Sequence, residues 1–130
     1  MFKKKGSKYN NKKAEAYGFK WDSQMELEYY EYILELQKQG QVTNIERQVT
    51  FTLQDGFEFQ GKKIRPITYK ADFVITYSDG KEIVWDVKGQ ILEVFKLKVK
   101  LLRFRYRDID FRCVRSRGRK PNKVWEEVKI

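Results

Sequence analysis

Two segments, "TYKADFVITY" (68–77) and "KEIVWDVK" (81–88), constrain the fold most. Both are rich in Val, Ile, Phe, Trp and Thr, and the turn "SDGK" joins them, the pattern of an antiparallel hairpin. Gly89 ends the second strand. "ILEVFKLKVKLLRFRY" follows, with Ile91, Phe95, Val99, Leu102 and Tyr106 at helical spacing, and "DIDFRCVR" reads as a further strand. A helix between two strands returns the chain to the sheet it left, so these 48 residues already predict a layered α/β unit.

The upstream sequence adds a helix and more strands. Ser23 is a good N-cap, Glu26 completes a capping box, and "QMELEYYEYILELQKQ" runs on to a stop at Gly40. "VTNIERQVTFTL" is extended, with alternation in its second half. "FEFQGKKIRPITY" is a hairpin around Gly61, with Pro66 at a strand edge or bulge. The predicted order is helix, three to four strands, helix, strand: a mixed central sheet flanked by helices. Residues 1–21 read as a basic flexible arm, 22–114 as the core and 115–130 as a basic C-terminal tail. A chain of 130 residues supports one such core.

Charge and absences narrow the function. Lys and Arg exceed Asp and Glu by 28 to 18, a net +10 that favours a polyanionic partner, nucleic acid ahead of an anionic membrane. The chain has no His, which excludes Ser-His-Asp triads and His-based metal sites. The lone cysteine, Cys113 in "IDFRCV", reads as a small buried residue rather than part of a disulfide or zinc framework. No apolar run approaches the roughly 18 residues of a membrane span, and "MFKKKGSKYNNKK" lacks the apolar centre of a signal peptide. The expected location is the reducing cytoplasm.

Four charged side chains fall where a core element would not place them. At about 100° per residue, Leu27, Tyr29, Tyr30, Ile33, Leu34 and Leu36 form one apolar arc of the first helix. Glu28, Glu31 and Glu35 project from the opposite side, and Glu26 falls inside the arc. Either Glu26 folds back on the Ser23 N–H as a capping-box residue near solvent, or it is a core carboxylate that needs a partner. Asp72 alternates with Ala71 and Phe73. Either it is solvated near a strand end, or it lies across the hairpin from Asp86 and Lys88. A solvated Lys88 salt bridge is the plain account of that group. Two Asp, a Glu and a Lys converging in a +10 chain point instead to an oxygen-ligand Mg²⁺ site.

These residues also carry a resemblance. "AD" at 71–72, thirteen residues, then "DVK" at 86–88, with a helix Glu upstream, resembles the PD-(D/E)XK nuclease signature. "KYNNKKAEAYGFKWDSQMELEYY", "ITYKADF", "DVKG" and "FKLKVKLL" resemble a family of small phage-encoded nucleases in that superfamily. That family is related to phage Holliday-junction resolvases and transposon end-cleaving nucleases. The likeness extends over about the first 105 residues. Ala71 stands where the signature usually has Pro, and Gln24 and Met25 stand where basic residues usually follow the helix Ser.

The resemblance implies a restriction-endonuclease-like core and a Mg²⁺-dependent DNA endonuclease, with Mn²⁺ as a substitute. Asp72 and Asp86 would be metal ligands, with the Val87 carbonyl as a further one. Glu26 would complete the site directly or through a water, and Lys88 would position or activate the attacking water. Gln48 resembles an active-site glutamine of related nucleases, or is a polar residue at a strand edge. Lys96, Lys98, Lys100 and Arg103 on the second helix, with Arg117, Arg119 and Lys120 in the tail, would track phosphates, or form a solvated basic surface. The implied substrate is branched DNA, and two symmetric cuts at a junction imply a homodimer. The alternatives are a nickase or end-cleaving nuclease on linear duplex, and a DNA-binding protein that does not cut.

Overall fold

A computed structural model describes residues 14–119 and 123–130. The hairpin at the centre forms as its sequence predicts. β6 (Ile67–Tyr77) pairs antiparallel with β7 (Glu82–Val87), Phe73 against Trp85 and Ile75 against Ile83. The turn closes with Tyr77 N–H donating to the Lys81 carbonyl (2.8 Å) and Gly80 N–H to the Tyr77 carbonyl (2.9 Å). Gly80 sits at φ 90°, a conformation that costs a side-chain-bearing residue energy.

β3 (Val42–Gln54) lines the other edge of β6, and β8 (Phe111–Arg117) pairs parallel with β7. The link between β7 and β8 is α2 (Glu93–Arg105), the crossover that a parallel pair requires. α1 (Gln24–Lys38) lies against the opposite face, its N-terminus capped by Ser23, whose Oγ accepts the Glu26 N–H at 3.1 Å. The protein is thus an α/β fold, a mixed five-stranded sheet flanked by helices, in strand order β3-β6-β7-β8-β9, where β9 is Val124–Val128.

Each face of the sheet carries its own core. On the α1 side, Ile33, Phe73 and Ile75 are fully buried with Trp85 and Val87, and the Tyr29 ring contacts Phe73, Trp85 and Trp125. On the α2 side, Phe95, Val99 and Leu102 pack on Val74, Val84, Phe111 and Cys113. Cys113 is buried, as expected, and burial followed by the nearby Asp86 charge pushes its thiol up to about 12.

Three departures from the sequence expectations matter. The arm expected over residues 1–21 lies outside the described residues up to residue 13, and its last part is structured. β1 (Ala14–Ala16) and β2 (Phe19–Trp21) form a hairpin whose Trp21 is fully buried and donates its indole N–H to the Ala16 carbonyl at 3.0 Å. The tail is also part of the fold. β8 continues to Arg117, and β9 (Val124–Val128) pairs with it as the fifth strand, clamped by Lys123 Nζ on Glu28 Oε1 at 2.6 Å. Glu28 is therefore not on a freely solvated face.

The third departure is in β6. Tyr69 and Ala71 pack with the α2-side core, whereas Phe73 and Ile75, of the same parity, pack with the α1 side. The strand rotates across Asp72, so simple alternation fails there. β4 (Phe57–Phe59) and β5 (Lys62–Ile64) form the expected hairpin, with Gln60 and Gly61 at φ 50° and 80° in its turn. Among the described residues, no helix is long and apolar enough to cross a membrane.

Candidate active site at the end of the central hairpin

Register brings the site together. Arg47 pairs with Phe73 and Val49 with Ala71, which sets Gln48 level with Asp72. Phe73 against Trp85 sets Asp72 level with Asp86, and Asp86 itself pairs with Cys113. One row across the sheet therefore runs Gln48, Asp72, Asp86, Cys113. The convergence of Asp72, Asp86 and Lys88 follows from a tight hairpin turn and a fixed strand period.

The two aspartates are held differently. Asp72 is partly buried and accepts the Val87 N–H on Oδ2 at 2.8 Å. Burial first, then a hydrogen bond to Asp86 and the Asp86 charge, push its carboxyl up to about 10. With its carboxyl raised so far, Asp72 keeps its proton at neutral pH. Asp86 is 1% exposed. Its Oδ2 accepts the Tyr69 hydroxyl and lies 3.3 Å from Lys88 Nζ. Its Oδ1 is buried and takes no hydrogen bond from an N–H or from the Tyr69 hydroxyl. Lys88 is partly buried, with Nζ 4.7 Å from the centre of the Phe95 ring, a contact that fixes the ammonium above the α2-side core.

Glu26 is 3% exposed, which rules out the solvent-facing capping role. Its carboxylate turns inward, where Gln48 Nε2 donates to Oε2 at 2.8 Å. Burial and the Asp22 charge raise its pKa; the Arg47 charge, the Asp22 N–H and the Gln48 amide oppose them. Gln48 reaches Glu26 from an unusual backbone conformation, φ 54° within β3, a strain of about 1–3 kcal/mol for a non-glycine residue. Glu26 also bears on Asp72 by charge, since it helps raise the Asp72 pKa.

The remaining expected residues divide. Lys98 donates to the Thr68 carbonyl (3.2 Å) and lines a cleft of about 400 Å³ with Lys70, Lys88 and Gln90, beside Tyr69. Lys96, Lys100 and Arg103 line a separate groove with Lys129 and Ile130. Arg103 is engaged there by the Ile130 and Phe111 carbonyls, at 2.9 and 3.2 Å. Arg117 pairs with Glu126 at 3.1 Å, Arg119 is exposed, and Lys120 lies outside the described residues. Val87 enters the site through its N–H.

Sequence reasoning missed three residues. Tyr69 stands on the wrong parity to meet Asp86 until β6 rotates. Arg47 lies over the Trp21 and Phe19 rings at 4.0 and 4.4 Å, a contact created by the β1–β2 hairpin. Lys70 was legible, because it alternates with Asp72.

The donor set suits a hard divalent cation. It consists of carboxylate oxygens, one of them a buried atom without an N–H donor, beside a second carboxyl whose pKa burial and the Asp86 charge push up. Asp72 and Asp86 are in contact, and Glu26 joins them through charge. Among the described residues, no three Asp, Glu, Cys or His side chains already stand in ligand geometry.

The profile of the family described as "Protein of unknown function (DUF1064)" matches residues 6–120. The chain belongs to this family. The match contains the whole row from Gln48 to Cys113, together with Glu26 and Lys88. No curated protein and no solved structure matches the chain.

Proposed function

We propose that the protein is a Mg²⁺-dependent endonuclease that hydrolyses phosphodiester bonds in DNA, acting on branched DNA as a homodimer. The observation that carries the reading is the buried pair Asp72–Asp86, with an Asp86 oxygen that has no N–H donor, next to Lys88. Burying a carboxylate beside a second carboxyl is costly for stability alone, and such costs concentrate at functional sites. The branched substrate and the dimer rest on the resemblance of "AD…DVK" to junction-resolving nucleases.

In this reading Asp72 and Asp86 hold the cation, with Mn²⁺ as a substitute. When bound, the cation neutralises charge at phosphorus and makes a reactive nucleophile from water without a histidine. Lys88, held by Asp86 and the Phe95 ring, directs its ammonium into the cleft, where it orients the attacking water and offsets phosphate charge. Glu26, fixed by Gln48, adds negative charge on the α1 side and draws the cation toward Asp72. Lys70, Lys98 and Gln90 contact the DNA backbone along the cleft.

The test uses labelled four-way junction, nicked duplex and linear duplex, with wild type and Asp86→Ala, in Mg²⁺ or EDTA. The reading expects junction cleavage only by wild type in Mg²⁺. Cleavage that survives EDTA or the substitution would sink the cation site. Equal cutting of linear duplex and junction would remove the branched-DNA preference. Binding without cleavage on every substrate would leave a DNA-binding protein.

A further inference from the structure

We infer that Tyr69 fixes which oxygen of Asp86 a cation can use, and so sets a preference for Mg²⁺ or Mn²⁺ over Ca²⁺. This rests on the cation site proposed above and adds a specificity residue to it. Tyr69 is a positioning residue in this account: it acts on the cation through Asp86.

The two oxygens of Asp86 have opposite surroundings. Oδ2 accepts the Tyr69 hydroxyl and faces Lys88 Nζ at 3.3 Å, whereas Oδ1 is buried and meets neither. Oδ1 can therefore meet a cation without breaking the Tyr69 or the Lys88 contact. Tyr69 cannot easily swing away, because its side chain is buried against the Phe95 and Phe111 rings, with centroids at 6.2 and 5.8 Å. Its hydroxyl donates to a carboxylate, the strong class of protein hydrogen bond.

Cations differ in what they ask of such a carboxylate. Mg²⁺ is small, near-octahedral and satisfied with one oxygen from each carboxylate. Ca²⁺ takes more ligands at longer distances and often uses both oxygens of one carboxylate. A two-oxygen grip on Asp86 requires Oδ2 to give up Tyr69 and to approach the cation on the side of the Lys88 ammonium. The arrangement therefore penalises Ca²⁺ and leaves one-oxygen coordination untouched. Tyr69→Phe keeps the ring and its packing and removes only the hydroxyl.

Calorimetric titration of the full chain with Mg²⁺, Mn²⁺ and Ca²⁺ separately tests this without any cleavage readout. Wild type, Tyr69→Phe and Asp86→Asn are compared, with circular dichroism as the check on folding. Tyr69→Phe is expected to raise Ca²⁺ affinity relative to Mg²⁺ by at least about tenfold, the scale of one charge-assisted hydrogen bond. An unchanged ratio, with wild-type binding intact, overturns the role of Tyr69 and leaves the cation site standing. Absence of Mg²⁺ binding to wild type, or binding that survives Asp86→Asn, overturns the cation site itself. Should Tyr69→Phe not fold, a Mn²⁺-loaded crystal of the wild type decides. The cation on Oδ1 alone, with Tyr69 still on Oδ2, supports the inference, and a cation gripping both oxygens refutes it.

Discussion

Replacing Asp72 by Asn should make the cation-free protein more stable while removing its response to Mg²⁺. At pH 7 the Asp72 carboxyl keeps a proton that its ordinary value of 3.8 would release. Holding that proton over about 3.2 pH units costs about 4 kcal/mol, at about 1.36 kcal/mol per unit. An amide needs no such proton. Its oxygen can accept the Val87 N–H that Asp72 Oδ2 now accepts at 2.8 Å, and its NH₂ can donate to Asp86. Partial exposure of Asp72 and imperfect amide geometry reduce the gain, so about 2–3 kcal/mol is the expected value at pH 7.

The sign with pH follows from the raised pKa. Between the unfolded value and about 10, the folded wild type binds more protons than the unfolded chain, so its stability from this group falls as pH rises. The advantage of Asp72→Asn should therefore be near zero at pH 4 and grow through pH 8. Urea denaturation in EDTA at pH 4.5, 6, 7 and 8 measures it. A variant less stable than wild type at pH 7, or a gain that does not grow with pH, would refute the reasoning. Saturating Mg²⁺ should stabilise wild type, more so at higher pH, and leave Asp72→Asn almost unchanged.

Other substitutions separate the roles in the site. Lys88→Met should lower kcat on cleavable DNA by about 10²–10⁴, the usual range for a group that handles a proton, with a much smaller change in KM in single-turnover assays. Lys70→Ala with Lys98→Ala should raise KM and reduce the slope of log affinity against log salt by about 2, read from DNA binding at several salt concentrations. Trp21→Ala should cost about 3–5 kcal/mol in urea denaturation, because the side chain is fully buried and carries the β1–β2 hairpin.

The parts of the site that were legible in the sequence are those set by period and turn. "SDGK" fixes a tight hairpin, and the two-residue strand period then brings Asp72 level with Asp86. The 3.6-residue helix period put Glu26 inside the apolar arc, where it is indeed buried, although its capping-box position argued for solvent. What stayed hidden depends on breaks in period. The left-handed Gln48 turns its side chain to Glu26, and the rotation of β6 across Asp72 delivers Tyr69 to Asp86. Neither leaves a composition signal, since Gln and Tyr are ordinary strand residues. The ends of the fold were misread for a related reason. Basic composition suggested solvated arms, but Trp21 and Trp125 each anchor a strand through one large apolar contact surface.

The central claim is that Asp72 and Asp86 together hold a divalent cation. Anomalous diffraction from a Mn²⁺-soaked crystal tests it most directly, because Mn²⁺ marks its own position. The account predicts a peak between the two carboxylates, within about 2.0–2.3 Å of an oxygen from each, and its loss in Asp86→Asn. No peak there at saturating Mn²⁺, or a peak bound only by residues outside this pair, would contradict it.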